Sequence, residues 1–193
     1  MTVQKLGDPL YMIDLEPSGM KGVIASYVLV GEEVAIVEAG PKSTVNRLLE
    51  GLEEIGVGFG EVRYIALTHI HVDHAGGAGA LIRHLPNARV VVHPRGCRNL
   101  EDPTKLWTQT RRVLRSVADL YGRPDPVPRG RMVVGVDGVT LNLGGLNLRV
   151  LETPGHASHH LSFHEDLHGG VFAGDAAGAV SYTHLTLPTT ERV

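Results

Sequence analysis

The sequence predicts an α/β domain, and three observations carry that reading. Short β-favouring runs recur along the chain, among them residues 23–30, 34–37, 64–67 and 89–92. Between them lie stretches with apolar residues at helical spacing, such as Val45, Leu48, Leu49, Leu52 and Ile55. Polar clusters begin directly where strand-like runs stop, at Thr68, His93 and Glu152, so the chemistry is placed on loops at the ends of strands.

In chain order, residues 11–13, 23–30 and 34–37 form an N-terminal meander, the last two joined through Gly31-Glu32-Glu33. Ser43 is placed to cap the helix that follows, and Gly56 sits where a left-handed C-terminal cap belongs. Residues 64–67 make a short buried strand running into Thr68-His69-Ile70-His71-Val72-Asp73-His74-Ala75-Gly76-Gly77, so the histidines fall on a strand-to-helix loop. Leu81, Ile82 and Leu85 stripe the next helix, and the strand at 89–92 stops at His93-Pro94. One longer helix is expected over 103–121, with Leu106, Trp107, Leu114 and Tyr121 on a shared face and Trp107 therefore in the core. Pro124, Pro126 and Pro128 make 122–131 an extended connector. Strands resume at 132–134, 139–143 and 146–151, with Asp137-Gly138 and Gly144-Gly145 as hairpin turns. Thr153-Pro154-Gly155-His156 follows the last of these, and Val171-Phe172-Ala173-Gly174-Asp175 ends a further strand.

At 193 residues the chain fits one domain around one hydrophobic core. Its single cysteine, Cys97, excludes a disulfide scaffold and a thiolate-rich zinc cluster. A formal charge of −3 without a block of Lys and Arg gives no footprint for nucleic acid or an anionic membrane. No apolar run approaches the roughly 20 residues that span a bilayer, and residues 1–10 lack the apolar core of a signal peptide. The expectation is a cytoplasmic protein acting on a small molecule, with its oligomeric state left open.

His69, His71, Asp73 and His74 lie within six residues, and a loop leaving a strand can turn all four side chains toward one point. A single histidine is commonly satisfied on its own at a surface, but three with an aspartate at this density point to a metal. Neutral imidazole and carboxylate suit Zn²⁺, Fe or Mn²⁺.

His-x-His-x-Asp-His, followed by Thr-Pro-Gly-His and by Gly-Asp after a strand, resembles the metallo-β-lactamase superfamily over residues 11–178. Within it the chain looks most like the small prokaryotic hydrolases related to glyoxalase II. The resemblance implies a four-layer αβ/βα sandwich, C-terminally truncated and so incomplete over residues 1–179, with the site on loops at one edge of two facing sheets. It also implies His69, His71 and His156 around one metal, Asp73 and His74 on a second, and Asp175 bridging them. The implied cofactor is two divalent ions, zinc first, with iron or manganese as alternatives. Two cations about 3.5–4 Å apart can share a hydroxide of pKa near 7 while one polarises a substrate oxygen. The expected activity is hydrolysis of a small ester, thioester or lactone, with Asp73 orienting the nucleophile or shuttling its proton. A mononuclear iron persulfide dioxygenase, a nucleic-acid phosphodiesterase and an inactive metal-binding fragment are the rival readings; the absent basic patch counts against the second.

Around that set, Glu38 stands where the family commonly carries Asp, and its extra methylene still permits a hydrogen bond to a ligand histidine. His160 matches a family position, whereas His159 replaces a common Gly and reads as local packing or solvent-facing. His93, Arg95 and Arg98 read as a solvated loop with a structural histidine, and Cys97 as a small apolar residue. Residues 181–189 resemble the translation of a sequencing-library adapter, so 180–193 are expected to be a non-native tail. The family pattern also has a further histidine after the Gly-Asp strand; the only later one, His184, lies in that run and is not assigned as a ligand.

Overall fold

Two facing sheets organise the chain in a computed structural model that describes residues 3–177; the segment 180–193, with His184, lies outside them. The first sheet holds seven strands in chain order: β1 (Val3–Gly7), β2 (Leu10–Asp14), β3 (Ala25–Val30), β4 (Val34–Val37), β5 (Val62–Ala66), β6 (Arg89–Val92) and β7 (Met132–Val134). β1 to β4 are antiparallel, and β4 to β7 are parallel. The second sheet is antiparallel, in the order β11 (Val171–Phe172), β10 (Leu161–Glu165), β9 (Asn147–Glu152), β8 (Thr140–Asn142). The helices are α1 (Val45–Ile55), α2 (Val72–Ala75), α3 (Ala78–His84), α4 (Pro94–Glu101), α5 (Thr104–Leu114) and α6 (Val117–Tyr121).

The parallel strands read as continuous apolar runs because both their faces are covered. Val34, Ile36, Ile65, Val90 and Val92 point toward the helices and pack with Leu48, Leu52 and Leu81. Ala35, Val37, Ala66 and Val91 point the other way, onto Leu148, Val150, Leu161 and Phe163 of the second sheet. The expected single core is therefore two clusters, one on each side of the first sheet. Among the described residues the layers are helices, seven-stranded sheet and four-stranded sheet, and no α-helix follows β7. No helix among them is long and apolar enough to cross a membrane.

Several local expectations are corrected. α1 starts at Val45 without a Ser43 side-chain cap, because Lys42–Thr44 form a 3-10 turn in which Thr44 Oγ1 donates to Pro41 O. Gly56 does close α1 in the left-handed conformation, at φ 86. The helix over 103–121 breaks at Arg115, which has φ 51 and ψ −123. That bend lets α6 lie on the Lys42–Thr44 turn with Ala118 fully buried. Trp107 is half-buried and belongs to neither core cluster. Asp137-Gly138 is not a hairpin turn, since β7 pairs with β6 and residues 135–138 cross between the sheets. Gly135 N donates to Val92 O on one side, and Gly138 N to Val150 O on the other. β1 and β10 have no counterpart in the sequence reading.

Candidate metal centre

The C-terminal ends of the parallel strands β4, β5 and β6 share one edge, and the loops after β9 and β11 reach the same edge from the second sheet. β5 delivers Thr68 and His69, with Leu161 N donating to Thr68 O at 2.7 Å across the sheets. His71 precedes α2, and Asp73 and His74 sit on that single helical turn, not on an open loop. Gly77 then lets the chain pass close to the loop after β4: its N donates to Gly40 O, and a Cβ there would stand 2.7 Å from Ala39 O.

Two groups of donors converge, His69 with His71 and His156, and His69 with His74 and Asp175. His71 Nδ1 lies 3.0 Å from His69 Nε2 and 3.0 Å from His156 Nε2. A tetrahedral zinc with bonds near 2.0 Å holds its donors about 3.3 Å apart, so this spacing fits a cation of that size. Asp175 lies between the groups, with Oδ2 3.4 Å from His156 Nε2 and Oδ1 3.5 Å from His74 Nε2. Asp73 Oδ2 approaches His74 Nε2 to 3.6 Å.

Proton positions sharpen the picture. Thr68 has one hydroxyl proton and donates it to Glu38 Oε1. Its oxygen must then accept from His69 Nδ1–H at 3.0 Å, which leaves a bare lone pair on His69 Nε2 facing the convergence point. Burial, reinforced by the surrounding histidines, holds His69 far below the usual imidazole range and so neutral. Burial likewise lowers His71, against the opposing charge of Asp73. His74 is the reverse case: burial disfavours its charge, but Glu38, Asp73 and Asp175 outweigh that and push it up to about 9. His74 therefore faces three carboxylates, with Nδ1 toward Glu38 and Nε2 toward Asp73 and Asp175. Neutral nitrogens on one side and excess carboxylate on the other form a donor set that fits divalent metal.

Glu38 contacts both halves, holding Thr68 through Oε1 and standing 3.2 Å from His74 Nδ1. It does so at φ 70, a left-handed backbone conformation that costs a non-glycine residue roughly 1–3 kcal/mol. Ser26 Oγ donating to Glu38 O at 2.7 Å and Glu38 N donating to Ala66 O keep it there.

His93 is buried and caps α4, its Nδ1 accepting from Arg95 N, while Arg95 reaches Ser158 O at 3.0 Å. Cys97 is half-buried with its thiol pushed up by burial. The His159 ring stacks over His69 at 6.4 Å between centroids, and its Nδ1 is buried without a partner. Residues that sequence reasoning missed are Thr68, Thr153, Ser162 and Tyr121. The phenol pKa of Tyr121 is raised by burial and by the Asp73 charge. Adjacency to His69 was the available signal for Thr68; Ser162 alternates with Leu161 and Phe163 in an unnoticed strand.

Residues 20–190 match the sequence profile of the Metallo-beta-lactamase superfamily. A metallo-β-lactamase fold-containing protein of Sulfurisphaera tokodaii is 30% identical over 95% of this chain and 68% of its own length. A hydroxyacylglutathione hydrolase of Aeromonas salmonicida is 34% identical over 58% of this chain, but that match spans only 32% of the hydrolase. Among solved structures, a metallo-β-lactamase from Cronobacter sakazakii superposes with a TM-score of 0.69 at 22% identity, over 89% of this chain and 62% of that one.

Proposed function

The chain belongs to the metallo-β-lactamase superfamily, and from that premise we propose that it is a metal-dependent hydrolase cleaving a small ester, thioester or lactone. The observation that carries the reading is the convergence of His69, His71 and His156 beside His74 and Asp175, with the His69 Nε2 lone pair turned inward. His69, His71 and His156 would hold one ion, and Asp73 and His74 a second, with Asp175 between them. Two divalent ions there, zinc first with iron or manganese as alternatives, would supply an activated water and a Lewis acid for the carbonyl.

The chain's own groups do the rest. Asp73, 38% exposed on α2, accepts a hydrogen bond from the attacking water, takes its proton and returns it to the leaving group. Glu38 and Thr68 fix the His69 ring, and Glu38 also orients His74. The thioester option draws on the likeness to hydroxyacylglutathione hydrolase, of which this chain spans about a third.

The test is hydrolysis of S-acylglutathione thioesters, acyl lactones and aryl esters by the chain loaded with Zn²⁺, Mn²⁺ or Fe²⁺ in turn. Metal-dependent turnover on one class supports the proposal. Oxygen consumption with glutathione persulfide, with no hydrolysis of any of the three, would replace it with a dioxygenase.

A further inference from the structure

Asp175 reaches the centre from a short turn after β11, so something must hold that turn in place. Its own backbone conformation is unusual: Gly174 has φ 50, and a Cβ there would stand 2.6 Å from Thr68 Oγ1 and 2.9 Å from His160 Nε2. Only glycine lets the peptide approach this closely. What it approaches is a chain of hydrogen bonds whose direction is fixed throughout. Asp175 N–H donates to His160 Nε2 at 3.2 Å, so that nitrogen carries a lone pair and the ring proton sits on Nδ1. His160 Nδ1–H then donates to Thr153 Oγ1 at 2.9 Å, the Thr153 hydroxyl donates to Ser162 Oγ at 2.9 Å, and Ser162 donates to Ala173 O at 3.4 Å.

The chain therefore starts at the backbone N–H of Asp175 and ends at the backbone carbonyl of Ala173, gripping the start of the turn on either side of Gly174. We infer that His160, Thr153 and Ser162 form a directional clamp that positions the Asp175 carboxylate between the two ion sites. His160 is a positioning residue: it contacts the peptide of Asp175 and leaves the carboxylate free to face His74 and His156. The inference rests on the dinuclear reading above, but its first consequence does not depend on metal.

The 193-residue chain with ¹⁵N-labelled histidine, stripped of metal by chelator, is examined by long-range ¹H–¹⁵N NMR. His160 is expected to be the Nδ1–H tautomer, and Thr153→Val, which removes the acceptor at constant shape, is expected to give a tautomer mixture. Stepwise Zn²⁺ titration by calorimetry then separates the roles. His160→Gln can still place an acceptor near the Asp175 N–H and should keep the second ion within about threefold of wild type. His160→Asn and Thr153→Val should weaken the second ion by about 10- to 100-fold and the first, which keeps His69, His71 and His156, far less. An Nε2–H tautomer in the wild type overturns the clamp. So do wild-type affinities for both ions in His160→Asn and Thr153→Val, or equal loss of both ions in all three variants. If wild type takes up no second ion, the dinuclear reading fails, and the tautomer result still decides whether the clamp exists.

Discussion

Removing metal should make stability fall as pH rises above 6.5, and His74 sets the size of the effect. Its pKa in the folded, metal-free chain is about 9, against 6.5 for an ordinary imidazole. His74 is 19% and Glu38 8% exposed at the side chain, so solvent screens that pair little, while Asp73 at 38% is screened more. A rise of that size corresponds to about 3 kcal/mol net, the penalty of burial being more than offset by Glu38, Asp73 and Asp175. Because the folded value lies above the unfolded one, this stabilisation is complete below pH 6.5 and fades as pH rises toward about 9. His69, His71 and His160 have lowered values, so they act in the opposite direction: the unfolded chain takes up their protons first, and stability falls below pH 6.5. The metal-free chain should therefore be most stable near pH 6.5. Zn²⁺ held by His74 would displace its proton, so above pH 6.5 folded and unfolded states would differ by no proton there, and the loss between pH 6.5 and 9 should disappear. The assay is urea unfolding of the chelator-treated chain across pH 5.5 to 9.5, with and without excess Zn²⁺. Glu38→Gln should shrink the metal-free slope. A metal-free chain whose stability is flat or rising from pH 6.5 to 9 would refute this account of His74.

His71→Ala or His156→Ala should abolish the tighter ion site, which elemental analysis after gel filtration measures directly; unchanged metal content in both variants counts against the assignment. Asp73→Asn should lower kcat by roughly 10²–10⁴-fold while the metal-bound melting temperature changes little, since Asp73 lies outside both cores and its proposed work is proton transfer. Phe163→Ala empties the space between the sheets, where Phe163 is fully buried, and should cost about 3–5 kcal/mol in urea unfolding.

The parts of the site legible in sequence are those close together in the chain. His69 to His74 stand out because four donor side chains in six residues follow an apolar strand, which no packing requirement explains. His156 and Asp175 carry no such local signal and entered through the resemblance of Thr-Pro-Gly-His and Gly-Asp to family motifs. Thr153 and Ser162 were illegible because a hydroxyl's partner depends on how β9 pairs with β10, and β10 itself went unnoticed. In that strand Leu161 and Phe163 face the first sheet, while Ser162 lies buried beside Thr153. α1 was legible because its apolar face and Gly56 cap are local. The break at Arg115 and the crossing at residues 135–138 were not, since each is imposed by packing partners distant in sequence.

The placement of donors also says what a bound cation would do mechanically. Glu38, His69, His71, Asp73 and His74 belong to the first sheet and its helices, whereas His156 and Asp175 come from loops of the second. Away from the site, the sheets are joined by apolar packing around Phe163 and Leu148, which is strong but non-directional. A metal pair at the shared edge would join them by bonds of fixed length and angle. The same edge carries the Leu161 N–Thr68 O hydrogen bond and the Gly174 approach to Thr68 and His160. Metal uptake should therefore slow amide exchange on both sides of the inter-sheet seam, at His69 to Ala75 and at His160 to Ala177. Protection confined to the His69 to Ala75 segment would mean that His156 and Asp175 stay outside the centre.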